Sequence, residues 1–278
     1  MPKSRIDLLG VKVDAITMTE AADAILRLTS QPKAVYVVKP YVEFLTRAVK
    51  DPEVRNLLND AALTLPDGVA LAWAAYYLNL PKRNILRWKI SVLEILTRPG
   101  RIYSVLPERF GGTDFTLKLL ARAEATKKSV FLVGSPKKQS IDQTATAIAR
   151  RFPSLIICGT ASGQIPNEAA EQKLLEQLLK YEPDIILVGI GFPRQERLMS
   201  RLAPQLGHGV LIGEGGSFDF DVLGGKLVKA PAWVGRIGLE WFWRLAREPW
   251  RIGRQLSILN FMWLVYRAGQ KQNGSHKS

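Results

Sequence analysis

Six short apolar runs, each closed by Gly, Pro or Asp, limit what this chain can fold into. They are "AVYVVKP" (34–40), "ALTLPDG" (62–68), "SVFLVGS" (129–135), "SLIICGT" (154–160), "DIILVGIG" (184–191) and "GVLIGEGG" (209–216). A strand with one wet face alternates apolar and polar residues. These runs do not, so they read as strands buried on both faces. Helical patterns lie between them. "ITMTEAADAILRL" opens with Thr17 and Glu20 at capping-box spacing. "DFTLKLLARAEA", "QSIDQTATAIARRF" and "NEAAEQKLLEQLLKY" place apolar residues three and four apart. The alternation predicts an α/β, Rossmann-like fold: a mostly parallel sheet with helices on both faces. Ligands of such folds bind beyond the carboxyl ends of the strands. Those ends carry Lys39, Asp67, Gly134, Gly191 and the segment Gly215 to Asp219.

Two stretches break the rhythm. Residues 79–108 ("NLPKRNILRWKISVLEILTRPGRIYSVLPE") are basic and apolar, and read as an insertion with its own amphipathic helix. From about Gly235 only helix-like sequence continues. The expected division is an α/β domain over 1–235 that contains the insertion, and a helical C-terminal appendage over 236–278. Charge follows this division. The chain carries 39 Lys/Arg against 25 Asp/Glu. Residues 226–278 hold ten basic residues against Glu240 and Glu248, and residues 79–109 hold seven against Glu94 and Glu108. The rest is almost neutral. A localised basic surface points to a polyanion: nucleic acid, anionic lipid or a phosphorylated substrate.

Several chemistries are excluded. Cys158 is the single cysteine, so no intrachain disulfide forms, and its apolar run marks it as a buried small hydrophobe. His208 and His276 are too few for a His-rich metal site. The opening "MPKSRIDLLG" lacks the apolar core of a signal peptide. The apolar tail "QLSILNFMWLVY" is too short to span a bilayer. The expected location is the cytoplasm, peripheral on the inner face of the cell membrane.

Four stretches can carry chemistry. "LPDGVALAWAA" puts Asp67 after a strand and before a helix, where a carboxylate can act as general base; Asp-Gly is also a common turn pair. "GIGFPRQE" (189–196) offers Gly191, Gln195 and Glu196 beside amides that can hold an anion. It is no dinucleotide fingerprint, because Arg194 fills the third glycine position. "GEGGSFDFD" contains Asp219 and Asp221, a pair that in some sugar-nucleotide enzymes binds Mg²⁺ or Mn²⁺, though close acidic pairs arise by chance. "PERFGGTDF" supplies Arg109, able to neutralise a diphosphate through a bidentate contact. Finally, "EWFWRLAREPWRIGR" (240–254) holds three Trp and four Arg. Stacking on nucleic acid and binding at a membrane interface both use that mixture. The aliphatic continuation "ILNFMWLVY" favours the membrane, with its apolar face buried in the lipid interface.

Taken together, these stretches resemble the WecG/TagA/CpsF family of bacterial glycosyltransferases. The motifs run in the family's order: "LLGVKVDAITMTEAADAI", "LPDGVALAWA", "ERFGGTDF", "VFLVGS", "VGIGFPRQE", "GGSFDF" and "KAPAWVGRIGLEWFWRLAREPWRIGR". The resemblance implies an inverting enzyme that moves an N-acetylmannosamine-type or related sugar from a UDP-sugar to a polyprenyl-diphosphate-linked acceptor at the inner membrane face. It implies no metal and no cofactor. It implies Asp67 as general base, Arg109 and Gln195 as active-site contacts, and Asp219 near the nucleotide. Arg244, Arg251 and Arg254 would close over the diphosphates. The implied partners are the UDP-sugar, the lipid-linked acceptor and an anionic inner-membrane surface, with no nucleic acid; homo-oligomer formation stays open. The family's second strand ends in Thr-x-Asn, whereas this chain has Lys39-Pro40-Tyr41, so its pocket differs in bulk and charge. The alternative class is a sugar-nucleotide-binding relative without catalysis, acting as a membrane assembly partner.

Overall fold

Each of the six apolar runs forms one strand of a six-stranded sheet, and every pairing in it is parallel. The structure, a computed structural model, describes residues 4–134, 141–225, 227–228, 243 and 252–275, with only the backbone at 252–256 and 273–275. The strands are β3 (Val35–Val38), β4 (Leu63–Thr64), β5 (Ser129–Val133), β6 (Ile156–Ala161), β7 (Ile185–Val188) and β8 (Val210–Gly213). Their spatial order is β4-β3-β8-β7-β5-β6. Val38, Val133, Val188 and Leu211 join the apolar cluster on one face, while Val37, Leu132, Leu187 and Ile212 join the cluster on the other. Two covered faces explain the absence of polar alternation. β6 departs from that expectation. It is an edge strand, Ile156 is about half exposed, and Cys158 is half-buried rather than buried.

A hairpin not read in the sequence precedes the sheet: β1 (Arg5–Leu8) pairs antiparallel with β2 (Val11–Asp14). Its two-residue turn holds Leu9 at φ 59° and Gly10 at φ 88°, and the Asp7 carboxylate accepts from Gly10 N at 2.8 Å. Asp14 ties this hairpin to the edge of the sheet by accepting from Thr64 N at 2.6 Å and from Arg5 Nε at 2.9 Å. This side-chain contact engages an edge that would otherwise be an open template for other strands.

The helices start where capping residues allow. α1 (Met18–Leu28) begins with the expected Thr17–Glu20 capping box. α2 (Val42–Lys50) leads into α3 (Pro52–Asn59), which Asp51 caps and Pro52 opens. α4 (Val69–Leu78) follows β4 and is buried along most of its length, consistent with its all-apolar sequence. The 79–108 stretch supplies α5 (Ile85–Thr97), capped by Asn84, and the short α6 (Pro99–Ile102). α7 (Gly112–Ala125), α8 (Ile141–Arg151), α9 (Glu168–Tyr181) and α10 (Arg194–Leu202) complete the layers.

The C-terminal helix α11 (Ile252–Ser275) packs across α2 and α4. Phe261 and Val265 are fully buried in the same cluster as the sheet. The tail's apolar stripe therefore faces protein, not lipid as expected, because α4 is too apolar to be left uncovered. Leu259 and Trp263 remain outward. The expected boundary near Gly235 lies outside the described residues.

Candidate active site

Loops at the carboxyl ends of β3, β4, β7 and β8 are laced together by main-chain hydrogen bonds. Asp67 N donates to Pro40 O at 3.0 Å, and Phe110 N donates to Pro66 O at 2.8 Å. These two bonds set the Lys39–Tyr41 loop, Asp67 and Arg109 beside one another. Asp67 is partly exposed, and the N-cap of α4 is Gly68 at φ 88°, so Asp67 does not occupy the capping position. Arg109 is also partly exposed.

Lys39 follows β3 at a strand end as expected, but it does not open onto solvent. It is buried, its ammonium lying 2.7 Å from Glu214 Oε2 and 3.5 Å from Thr116 Oγ1. The ring of Phe115 lies 5.9 Å away. Glu214 Oε1 has no hydrogen-bond partner among the described residues. Thr116 Oγ1 lies 2.5 Å from Glu214 Oε2, fastening α7 to the end of β8. The same approach recurs one turn earlier, where a Cβ on Gly112 would sit 2.9 Å from Ser217 Oγ. Glu214 and Thr116 were missed in the sequence. The glycines around Glu214 drew attention to "GEGG", but nothing local signals a lysine partner from another strand.

Tyr41 is half-exposed at the N-cap of α2. Its hydroxyl donates to Glu43, and its ring meets Phe44 edge-on at 5.1 Å. Phe44 stacks on Phe192 of the β7–α10 loop at 3.7 Å, linking the β3 and β7 ends across β8.

Gln195 and Glu196 are buried in the first turn of α10. Gln195 Oε1 accepts from Gly191 N at 3.2 Å and from Gly215 N at 3.0 Å, so one side chain ties the β7 loop to the β8 loop. Gln195 Nε2 donates to Glu196 Oε1 at 2.7 Å. Burial pushes the Glu196 carboxyl up to about 7. Gly134 lies at the end of β5, its amide donating to Ala161 O at 2.8 Å. A Cβ on neighbouring Gly163 would collide with Gly134 O.

Asp219 closes a 3-10 turn, Ser217–Asp219, with its carbonyl accepting from Leu227 N at 2.8 Å. The segment is not extended, so strand alternation does not relate Asp219 to Asp221. Arg244 and Arg251 lie outside the described residues, and Arg254 is described only as backbone in α11. A groove of about 610 Å³ between α9 and α10 is lined by Glu171, Arg194, Arg197 and Arg201 among others, and none of the candidate residues lines it.

With this geometry in view, comparison with known proteins adds an independent finding. The profile of the glycosyl transferase WecG/TagA/CpsF family matches residues 6–98 and 93–275, the two stretches meeting inside α5. The chain is 31% identical to an N-acetylglucosaminyldiphosphoundecaprenol N-acetyl-beta-D-mannosaminyltransferase of Bacillus subtilis (strain 168), over 80% of this chain and 74% of that protein. Enzymes of the same name from Bacillus spizizenii and Staphylococcus aureus (strain MW2) are 28% and 25% identical. They cover 84% and 96% of this chain, and 80% and 94% of their own lengths.

Proposed function

This chain belongs to the WecG/TagA/CpsF family and is a glycosyltransferase; from that premise we propose that it moves an N-acetylmannosamine-type sugar, with inversion, from a UDP-sugar to a polyprenyl-diphosphate-linked acceptor. Asp67 takes the proton of the acceptor hydroxyl as that oxygen attacks the anomeric carbon. The bond from that carbon to UDP breaks, and its electron pair leaves on the diphosphate. Arg109 stabilises the charge that develops there, joined by Arg244, Arg251 and Arg254 of the tail. Tyr41 lines the donor or acceptor pocket, Lys39 sets the shape of that pocket from behind through Glu214, and Asp219 lies by the nucleotide. Gly134 and Gly191 let main chain approach the ligand. Gln195 and Glu196 are positioning residues that hold the Gly191 and Gly215 loops in register. Work takes place at an anionic membrane surface, where a lipid-linked acceptor resides; among the described residues no helix is long and apolar enough to cross a membrane.

The observation that supports this reading is the pair of main-chain hydrogen bonds, Asp67 N to Pro40 O and Phe110 N to Pro66 O, that join the backbone around Asp67 to the backbone around Arg109 near the strand ends. A carboxylate and a guanidinium supplied from adjoining loops suit a reaction that removes a proton and releases a diphosphate. The non-catalytic alternative is not favoured, since the relatives above are named as transferases. The test is UDP release with a lipid-diphosphate N-acetylglucosamine acceptor. Asp67→Asn is expected to bind UDP as wild type and to turn over about 10²–10⁴-fold more slowly, the usual share of a general base. A variant keeping more than half the wild-type rate removes Asp67 from the role.

A further inference from the structure

Helix α5 turns two polar residues toward the protein beside Trp88, Val92 and Ile95, and leaves an aliphatic stripe outward. The side it presents to the protein carries Ser91, fully buried, and Glu94, 4% exposed. Ser91 Oγ accepts from Trp73 Nε1 at 3.0 Å and donates to Trp88 O at 2.7 Å. Glu94 accepts from Tyr76 OH at 2.8 Å and from Arg101 at 3.1 Å. The opposite side is aliphatic. Leu86 is 63% exposed, Leu93 59% and Leu96 56%, with Ile85 and Ile90 on the same face. At 100° per residue, these five side chains fall on one stripe, interrupted only by Lys89 and Thr97.

A helix wetted on its outer side would carry polar residues where this stripe lies. Here Tyr76 and Trp73 on α4 are too apolar to expose yet carry polar atoms that need partners, and α5 supplies them. The aliphatic stripe is left outward, larger than the scattered apolar residues of an ordinary surface. We infer that the outer face of α5 lies in the interfacial layer of an anionic lipid bilayer, parallel to its plane.

Three observations select lipid as the occupant. The first is charge: Lys82, Lys89 and Arg98 are exposed on α5 or beside it in sequence, while Glu94, the one acidic residue of α5, is turned inward and paired with Arg101. That arrangement complements anionic headgroups, with Lys89 long enough to reach them from within the stripe. The second is length. Thirteen residues make a rod of about 20 Å, too short to cross a bilayer but suited to lying on one. The third is continuity. Trp88 on the flank of α5 donates from Nε1 to Met262 O at 3.3 Å and meets Tyr266 edge-on at 6.1 Å. The helix it touches, α11, itself exposes Leu259 and Trp263. An aromatic at headgroup depth next to an aliphatic stripe is the composition of interfacial helices.

The inference rests on the lipid-linked acceptor proposed above only in placing the protein near a membrane, and its test needs no turnover. The full chain is sedimented with vesicles of phosphatidylglycerol and phosphatidylcholine. Leu86→Ser, Leu93→Ser and Leu96→Ser, combined, should leave the melting temperature unchanged, because all three side chains already face outward. Partitioning onto vesicles should fall by at least about thirtyfold, the loss expected on removing three partly inserted leucines. A second measurement labels Leu93→Cys, in a Cys158→Ser background, with an environment-sensitive fluorophore. Its emission should shift to the blue on addition of vesicles. Partitioning of the triple variant within twofold of wild type, or no spectral shift, overturns the inference. So does a triple variant that changes from oligomer to monomer while binding vesicles normally, which would assign the face to a second copy of the chain. Turnover of a water-soluble short-chain acceptor separates this from the proposed reaction. It should be unchanged in the triple variant, and its absence in wild type would count against the reaction and not against the membrane face.

Discussion

Lys39 shows how a residue can be singled out correctly for its position and misjudged in its surroundings. Its place at the end of β3 was visible in the sequence, since a charged residue follows four apolar ones. Its burial was not, because the neutralising carboxylate, Glu214, lies 175 residues further on. The consequence is measurable. Lys39→Thr, the substitution that restores the family's residue, removes the one cation that pairs, among the described residues, with a carboxylate whose side chain is inaccessible. Breaking a buried pair from one side costs about 3–5 kcal/mol, because the remaining charge stays desolvated. Urea denaturation should show that loss in Lys39→Thr. It should recover most of it in the Lys39→Thr, Glu214→Gln double variant, where no net charge is stranded. Single and double variants of equal stability would mean that Glu214 is solvated in solution. Any change of sugar preference on restoring Thr at 39 is therefore to be read in the double variant, where it is not confounded with partial unfolding.

Among the elements, legibility followed how completely the local pattern determines the environment. The six core strands were readable because burial on both faces forces an unbroken apolar run. The β1–β2 hairpin was not, since its turn is Leu9-Gly10 instead of a turn-forming pair such as Asn-Gly, and its strands are four residues each. For α5 the periodicity revealed a stripe, but a stripe has no sign: which side faces inward depends on Trp73 and Tyr76 of another helix. In α10 the first turn was expected to be a site, and its hydrogen bonds form a brace that the sequence did not reveal. That brace responds to pH. The Glu196 carboxyl is pushed by burial from its ordinary 4.5 up to about 7. Folding thus favours the protonated form. The contribution is fully present below about pH 4.5 and is lost as pH rises through about 7, with an upper bound of roughly 3 kcal/mol. Denaturant midpoints from pH 5 to 8 should fall for wild type, after correction for other titrating groups, and fall distinctly less for Glu196→Gln. Parallel curves for the two proteins would show that Glu196 is charged throughout, with water reaching its unpartnered Oε2.

At the scale of the molecule, the tail and the α/β layers share one core, and this changes what truncation can show. The sequence divides at about residue 235 because strands cease and charge accumulates there. Packing runs across that division. Phe261 and Val265 are fully buried, and Ile258, Met262 and Tyr266 pack on the cluster that holds α2, α4 and one face of the sheet. Deleting 236–278 removes the basic, Trp-rich stretch and also uncovers α4, in which eight consecutive residues, Leu71–Leu78, are buried. Loss of turnover or vesicle binding in that truncation would follow from either cause. Point changes separate them. Phe261→Ala should cost about 3–5 kcal/mol, as for other buried phenylalanines, and lower the melting temperature by roughly 6–12 °C in a domain of this size. Vesicle binding at temperatures well below the transition should stay close to wild type, since Phe261 faces protein. Arg251→Glu should do the reverse, leaving the melting temperature unchanged while reducing turnover. If Phe261→Ala melted as wild type, α11 would not be docked in solution. The tail would then be free to place its whole apolar stripe, Phe261 included, in the membrane.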